Sequence, residues 1–224
     1  MTGRAPAGAI ERQLPPSASL IDSPTSLKAR ITDNLARFPR HAVALPGMRR
    51  AAVALVLAPC DGGTGFLFTK RSYSLRRGAG QFALPGGNID LDESPTTAAL
   101  RELHEELGVV LGPETALGQL DDFVTRGGHV VTPIVFWAET TPILVPSPDE
   151  VHAAWLVPLA AILRSDLPRW LPGENGGAPI LQMRINQSWV NPPTAAMIYQ
   201  FREVALHGRP VRVAQVGQPA WTAR

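Results

Sequence analysis

Three glutamates within the segment Gly87–Val109 constrain this chain more than any other sequence feature. The run Pro95–Leu107 is typical of a helix, because a proline suits the first turn and a glycine follows directly where a C-terminal cap belongs. Glu102, Glu105 and Glu106 stand at i, i+3 and i+4, so their carboxylates share one face of that helix. Like charges at this spacing repel each other. Because a hard cation with oxygen ligands would reverse that repulsion, we predict a divalent-metal site on this face.

The residues around these glutamates help to decide between a metal site and a solvated acidic face. Taken alone, a Glu-x-x-Glu-Glu helix is more often a solvated acidic face. Here the segment agrees with the pattern G-x5-E-x7-R-E-U-x-E-E-x-G-U, in which U is aliphatic, at every specified position. This pattern is the Nudix signature, so the chain resembles the Nudix hydrolases. The matching positions are Gly87, Glu93, Arg101, Glu102, Leu103, Glu105, Glu106, Gly108 and Val109.

The resemblance implies a fold, a cofactor and a set of residue roles. The implied fold is α/β, a Nudix α/β/α sandwich with a mixed β-sheet over about residues 48–165. The implied cofactor is Mg²⁺ or Mn²⁺, and its implied ligands are Glu102, Glu105, Glu106 and the backbone carbonyl of Gly86 or Gly87. Arg101 would hold the carboxylates in place by pairing with Glu93 or Glu105.

The implied reaction is hydrolysis of a diphosphate bond in a nucleotide-derived small molecule. Bound metal ions lower the pKa of an attacking water, and a carboxylate takes its proton. Nudix enzymes differ in which glutamate does this, so a member of the helix and the loop residue Glu150 are both open. Glu150 precedes a predicted strand, and it could equally be an ordinary surface acid.

A second motif lies upstream, where Leu67–Gly87 reads LFTKRSYSLRRGAGQFALPGG. It resembles the signature L-L-T-x-R-S-x3-R-x3-G-x3-F-P-G-G of Nudix coenzyme A pyrophosphatases. Guanidinium groups suit phosphate oxygens, and glycines let the backbone approach them closely. The resemblance therefore implies coenzyme A or an acyl-CoA as substrate, giving 3′,5′-ADP and 4′-phosphopantetheine. The predicted substrate-binding residues are Arg71, Ser72, Arg76, Arg77, Gly80 and Gly86.

Some positions depart from that signature. Phe68 and Leu84 replace a leucine and a phenylalanine, and Val190–Thr194 stands where we expect an aromatic–Gly–x–Thr run. A Nudix hydrolase acting on ADP-ribose, a nucleotide sugar or a nucleoside triphosphate is therefore an alternative. A Nudix-fold ligand-binding module without catalysis is a second one, although the complete set of Arg101 and three glutamates argues against it.

Composition and patterning predict the organisation of the chain. The 224 residues, 45% of them apolar, suit one domain with a single core. We divide them into a disordered N-terminal extension (1–25), a helix and linker (26–45), a Nudix hydrolase domain (46–208) and a C-terminal tail (209–224). The apolar spacing predicts helices at Ser26–Phe38 and Pro192–His207, strands at Ala51–Pro59, Gly65–Arg71, Leu117–Val124, His129–Glu139 and Val151–Val157, and a loop at Pro168–Gly177.

The remaining expectations concern compartment and partners. Cys60 is the only cysteine, which excludes a disulfide within the chain and favours a small buried side chain over a catalytic thiol. Residues 1–50 carry a net charge of +5 (eight Lys/Arg, three acids), which we interpret as a solvated extension and not a nucleic-acid arm. With no signal peptide or spanning segment apparent, we expect a cytoplasmic protein without a nucleic-acid or membrane partner. The resemblance alone makes a homodimer an expectation. Trp137 is expected in the core and not against an adenine.

Overall fold

The structure, a computed structural model, describes residues 23–223. It contains three α-helices, α1 (Pro24–Arg37), α2 (Pro95–Leu107) and α3 (Thr194–Phe201), the last continued by a π-helical turn over Arg202–Leu206. The strands are β1 (Arg49–Cys60), β2 (Gly63–Arg71), β3 (Phe82–Ala83), β4 (Gly86–Asn88), β5 (Ala116–Gln119), β6 (Phe123–Val124), β7 (His129–Trp137), β8 (Val151–Pro158), β9 (Arg169–Leu171), β10 (Ile180–Ile185) and β11 (Ser188–Val190).

The main sheet is mixed, as the sequence resemblance implied. Its central order is β3-β2-β1-β7-β5, with β4 paired to β1, β6 to β7 and β8 to β2. Strands β1 and β7 are parallel from Arg49↔His129 to Leu57↔Trp137, and the other pairs are antiparallel. A separate three-stranded sheet, β11-β10-β9, follows β8 in the chain.

Helices cover both faces of the main sheet because side chains alternate along β1. Ala52, Ala54 and Val56 point to one face and share a buried cluster with Leu103 and Leu107 of α2. On the other face, a second cluster joins α1 and α3 to the sheet; its members include Leu27, Ile31, Leu35, Leu55, Leu57, Ile198 and Phe201. This arrangement confirms the α/β/α sandwich. Trp137 is 3% exposed in the second cluster, as expected.

Several predicted elements differ from the structure. Helix α1 begins at Pro24, two residues before the predicted start at Ser26, because the Ser23 side chain caps it. The expected N-terminal extension otherwise lies outside the described residues. The predicted loop Pro168–Gly177 is wrong in part, since Arg169–Leu171 forms β9 against β10. Strands β10 and β11 were missed, because a short alternating run beside many polar residues gave too weak a pattern.

The predicted strand Leu117–Val124 is interrupted between β5 and β6 by Asp121 and Asp122, here called the aspartate pair. Both side chains are buried. Asp122 forms an ion pair with Arg40, and Asp121 accepts hydrogen bonds from Arg212 at 2.6 Å and Gln200 at 2.7 Å. The backbone leaves the strand here because these carboxylates turn inward to meet partners. The pair thereby ties the segment before β1 and the segment after α3 to the main sheet.

Both ends of the described chain pack on the same core. Helix α1 contributes three buried side chains, and Val213 and Val216 from the C-terminal segment are buried in the same cluster. The division at residues 46 and 208 stays a prediction. Within residues 23–223, no helix combines the length and apolar character that crossing a bilayer requires.

Candidate active site

Helix α2 has the bounds that the sequence predicted, and its ends explain them. The Ser94 hydroxyl accepts a hydrogen bond from the Thr97 backbone N–H at 3.1 Å, which caps the first turn. Gly108 takes the left-handed conformation (φ 68°) and its N–H bonds to the His104 carbonyl, which ends the helix. Both ends being fixed, the glutamates of the last two turns are held in register with the sheet.

Three carboxylates converge beside this helix. Side-chain oxygens of Glu102, Glu106 and Glu150 all lie within 4.8 Å of one another, and we call this group the carboxylate cluster. Glu150 comes from the loop before β8, where its backbone carbonyl accepts a hydrogen bond from Ser72 N at 2.8 Å. The end of β2 thus positions the loop that brings the third carboxylate to the helix.

Two glycines allow the carboxylates to approach the backbone. Gly86 has a φ of 154°, and its N–H donates to Glu106 Oε2 at 3.2 Å. A Cβ at Gly86 would lie 2.2 Å from the Ala52 carbonyl oxygen. A Cβ at Gly87 would lie 2.3 Å from Glu102 Oε1. Any side chain at either position would therefore displace the strand or a carboxylate of the cluster.

Arg101 connects the acidic residues, and both pairings considered from the sequence occur. Its guanidinium bonds to Glu93 in a bidentate manner, at 3.1 Å from both Nε and Nη2. Nη1 donates to Glu102 at 2.9 Å and to Glu105 at 3.0 Å. Nη2 also donates to the Asn88 carbonyl. Hydrogen bonding to Arg101 lowers the pKa of Glu93, so Glu93 stays ionised and fixes the fork that orients the other carboxylates.

Burial controls the electrostatics of the cluster. Glu106 is only 4% exposed, and desolvation raises its pKa to about 8, against the opposing charge of Arg71 and the bond from Gly86. Burial also raises the pKa of Glu102, although Arg101 opposes the shift. Within residues 23–223, no basic side chain comes within 4 Å of Glu106. Glu106 is buried, Glu102 is partly buried and paired with Arg101, and Glu150 is exposed. Crowded carboxylates of this kind are a donor set that fits a hard divalent cation.

Glu105 differs from the other helix glutamates. Its side chain is 51% exposed and bonded to Arg101, and it is not a member of the carboxylate cluster. Its predicted role as a metal ligand therefore stays a prediction. Glu150, which was the less secure choice from the sequence, is the residue that completes the cluster.

Residues of the loop between β2 and β3 line two neighbouring cavities. The first, of about 240 Å³, is lined by Arg71, Arg77, Gly78, Gln81, Thr125, Gly127, His129, Pro193, Gln218 and Thr222, and we call it the cationic cavity. The second, of about 550 Å³, has Arg76, Gly80, Phe82, Trp189, Asn191 and Trp221 in its wall, and we call it the aromatic cavity. The predicted arginines thus all line a cavity. Gly80 (φ 67°) faces the Tyr73 ring, 2.6 Å from where a Cβ would lie.

The sequence analysis did not predict the residues of the two cavities that lie outside the motifs. His129 starts β7, Trp189 lies on β11, and Gln218 and Trp221 lie near the C-terminus. None belongs to a motif, so no sequence signal pointed to them. Ser72 is buried and its hydroxyl lies 2.8 Å from that of Ser74. Cys60 is partly buried at the end of β1, and burial raises its pKa.

Comparison with known proteins identifies the domain. The family model of the NUDIX domain matches residues 48–173. The uncharacterized Nudix hydrolase NudL of Yersinia enterocolitica is 34% identical over 139 residues, which are 62% of this chain and 70% of that protein. NudL of Photorhabdus laumondii is 40% identical over 116 residues, 51% of this chain and 62% of that protein. A MutT/nudix family protein from Enterococcus faecalis, a solved structure, is 19% identical with a TM-score of 0.46, covering 76% of this chain and 68% of that one.

The family model covers more than half of the chain, and the matched range contains α2, the carboxylate cluster and strand β2, which ends at Arg71. The second of these relatives is matched over less than two thirds of its length, so the match speaks for the shared domain. With the complete signature over Gly87–Val109 and this match, the chain belongs to the Nudix hydrolases, a family that acts on nucleoside diphosphate derivatives.

Proposed function

We propose that this protein hydrolyses the diphosphate bond of coenzyme A or an acyl-CoA, with Mg²⁺ or Mn²⁺, to 3′,5′-ADP and 4′-phosphopantetheine or its acyl derivative. The observation that carries the proposal is the carboxylate cluster beside Arg71. Three carboxylates suited to a cation adjoin an arginine suited to a phosphate, so a metal-bound diphosphate has partners on both sides.

In this proposal Glu102, Glu106 and Glu150 hold the cation, together with the backbone carbonyl of Gly87. When bound, the cation neutralises diphosphate oxygens and lowers the pKa of the attacking water. Arg71 adds positive charge at the diphosphate. The water oxygen bonds to one phosphorus, the bridging P–O bond breaks, and the released phosphate keeps the bridging oxygen.

The proton lost by the water passes to a carboxylate of the site. Glu105 and Glu150 are the two candidates, because Glu105 is half exposed on the helix and Glu150 is carried by a loop. Comparing Glu105→Gln with Glu150→Gln separates them. The base is the residue whose loss lowers kcat by orders of magnitude at saturating metal.

Two features support coenzyme A within the family. The sequence Leu67–Gly87 resembles the coenzyme A pyrophosphatase signature, and its arginines line the two cavities. The charge of Arg71 also acts on Glu106 in the carboxylate cluster. The aromatic cavity offers apolar walls at Phe82, Trp189 and Trp221, which suit a long, weakly polar arm such as pantetheine. This cavity also contains the Asn191–Thr194 region, the point at which the sequence departs from the signature.

The test is a substrate panel of coenzyme A, acetyl-CoA, ADP-ribose, NADH and nucleoside triphosphates, each with Mg²⁺ or Mn²⁺ and resolved by chromatography. We expect 3′,5′-ADP and 4′-phosphopantetheine as the main products. Preference for ADP-ribose, NADH or a nucleoside triphosphate would leave the proposed catalytic site standing and would reject coenzyme A as the substrate. Absence of turnover on every compound would favour the ligand-binding alternative. Glu106→Gln is the control that ties any activity to this site.

A further inference from the structure

The cationic cavity carries more positive charge than the single arginine, Arg71, that the proposed hydrolysis uses. Arg71, Arg77 and His129 line it, together with the neutral side chains of Gln81 and Gln218, and its lining includes no carboxylate. A cavity of this kind favours an anion, because two fixed positive charges share a small volume with neutral hydrogen-bonding groups.

The arginines of this cavity differ from the paired arginines of the molecule. Arg40, Arg101 and Arg212 each form an ion pair with a carboxylate that is at least largely buried. In contrast, within the described part of the chain no carboxylate lies within 4 Å of the guanidinium of Arg71 or Arg77. Their charges are therefore available to a ligand.

A further arginine adds to the positive potential around His129 in the cationic cavity. Arg49 on β1 is the register partner of His129 on β7, and the charges of Arg49 and Arg77 both act on the His129 imidazole. The wall is thus surrounded by cations from two strands and one loop. His129 is far from Arg49, Arg71 and Arg77 in sequence, and the fold brings it next to them.

The position of the cavity relates it to the substrate. Arg71 lines the cavity, and its charge also acts on Glu106 in the carboxylate cluster. A group bound in the cavity would therefore lie beside the diphosphate held at the cluster. The cavity shares Gly78, Gln81, Pro193 and Thr222 with the aromatic cavity, so the two are parts of one cleft.

We propose that the cationic cavity binds a second phosphate group of the substrate, a phosphate monoester on the nucleotide ribose, and that Arg77 and His129 are the residues that select for it. The inference rests on the proposed function, in which this group is the 3′-phosphate of coenzyme A. A phosphate monoester carries more negative charge than either phosphate of a doubly esterified diphosphate. Guanidinium and imidazole groups can donate hydrogen bonds to its several acceptor oxygens.

The first experiment compares coenzyme A with dephospho-coenzyme A, which lacks only this phosphate. We expect the wild-type kcat/KM ratio of the two to be about tenfold to a hundredfold in favour of coenzyme A, from one or two charge-assisted hydrogen bonds. Arg77→Gln and His129→Gln should each lower that ratio at least about fivefold, whereas Arg77→Lys should retain part of it. The exposed Arg37→Gln on α1 is the matched control and should leave the ratio unchanged.

A second experiment does not depend on turnover. Calorimetry with 3′,5′-ADP and 5′-AMP measures how much the extra phosphate adds to binding, whichever diphosphate is the true substrate. We expect wild type to bind 3′,5′-ADP about tenfold or more tightly than 5′-AMP, and Arg77→Gln to lose most of that difference. Thermal melting of each variant checks that it is folded.

The outcomes separate the two proposals. Equal affinity of wild type for 3′,5′-ADP and 5′-AMP, or an unchanged ratio in the Arg77 and His129 variants, would overturn the cavity assignment while coenzyme A hydrolysis stands. If coenzyme A is not hydrolysed but 3′,5′-ADP binds tightly and this binding depends on Arg77, coenzyme A is rejected as the substrate and the cavity stands as a phosphate-monoester site. Both results negative would reject both proposals.

Discussion

Replacing Glu106 by glutamine tests whether its buried carboxylate lowers the free energy of unfolding of the metal-free protein. Burial raises the pKa of this carboxyl from an ordinary value of 4.5 to about 8 in the metal-free protein. The folded state therefore binds the proton more tightly than the unfolded state does. The stability linked to Glu106 is fully present below pH 4.5, falls as the pH rises, and is lost above about pH 8.

The size of the effect follows from the shift. A change of about 3.5 pKa units at about 1.36 kcal/mol per unit sets a ceiling of about 5 kcal/mol above pH 8. Glutamine removes the charge and keeps an oxygen that can accept from Gly86 N–H, but its amide N–H₂ is also buried. Allowing for that desolvation, we expect Glu106→Gln to stabilise the metal-free protein by roughly 2–3 kcal/mol at pH 9, or roughly 4–12 °C in Tm.

The assay is scanning calorimetry in EDTA at pH 5 and pH 9, with Glu114→Gln as an exposed control. The variant should gain stability over wild type at pH 9 and little at pH 5, whereas the control should show no such difference. Saturating Mg²⁺ should reverse the order at pH 9, since the ion stabilises only the protein that binds it. A variant less stable than wild type at pH 9 without metal would refute the reasoning.

Other predictions concern the neighbours of this residue and the packing of the ends. Arg101→Lys cannot keep the bidentate bond to Glu93, so kcat/KM should fall about 10–100-fold in steady-state kinetics, with circular dichroism unchanged. Gly87→Ala should weaken Mn²⁺ binding at least about tenfold by calorimetric titration, and an unchanged affinity would contradict the close contact with Glu102. Asp121→Ala leaves a partly buried Arg212 without its carboxylate and should lower the free energy of unfolding in urea by about 3–5 kcal/mol, compared with little change for exposed Asp61→Ala. EDTA should abolish hydrolysis, and added Mg²⁺ or Mn²⁺ should restore it.

The catalytic helix was predictable because its determinants are local. Proline, the three glutamates and the closing glycine lie within one short segment, and helical geometry alone fixes which side chains share a face. The contact of Arg101 with Glu93 and Glu105 was predictable for the same reason, since one partner lies a turn away and the other just before the helix. The hairpin of β1 and β2 followed from two apolar runs around a glycine turn.

The rest of the site depends on contacts that spacing does not report. Glu150 reaches the helix because Ser72, far away in sequence, holds its loop. His129 lies beside Arg49 because β7 runs parallel to β1, and the fold places His129 in the same cavity as Arg77. The interruption at Asp121 was missed because the flanking apolar residues suggested a continuous strand, whereas the buried carboxylate turns toward Gln200 and the partly buried Arg212, 79 and 91 positions later. Such pairings are set by the fold and not by neighbouring residues.

The aspartate pair also bears on the order in which parts of the molecule come apart. Its bonds to Arg40 and Arg212 close loops of 82 and 91 residues, whereas the helix that holds the glutamates is capped by residues at its own ends and packs on β1. Long-range closures form late in folding, and when they open first on heating they release the segment that carries Gln218 and Trp221. On this reasoning, warming the enzyme erodes its choice among substrates before it erodes the chemical step. Selectivity and turnover would then have separate temperature limits within one polypeptide.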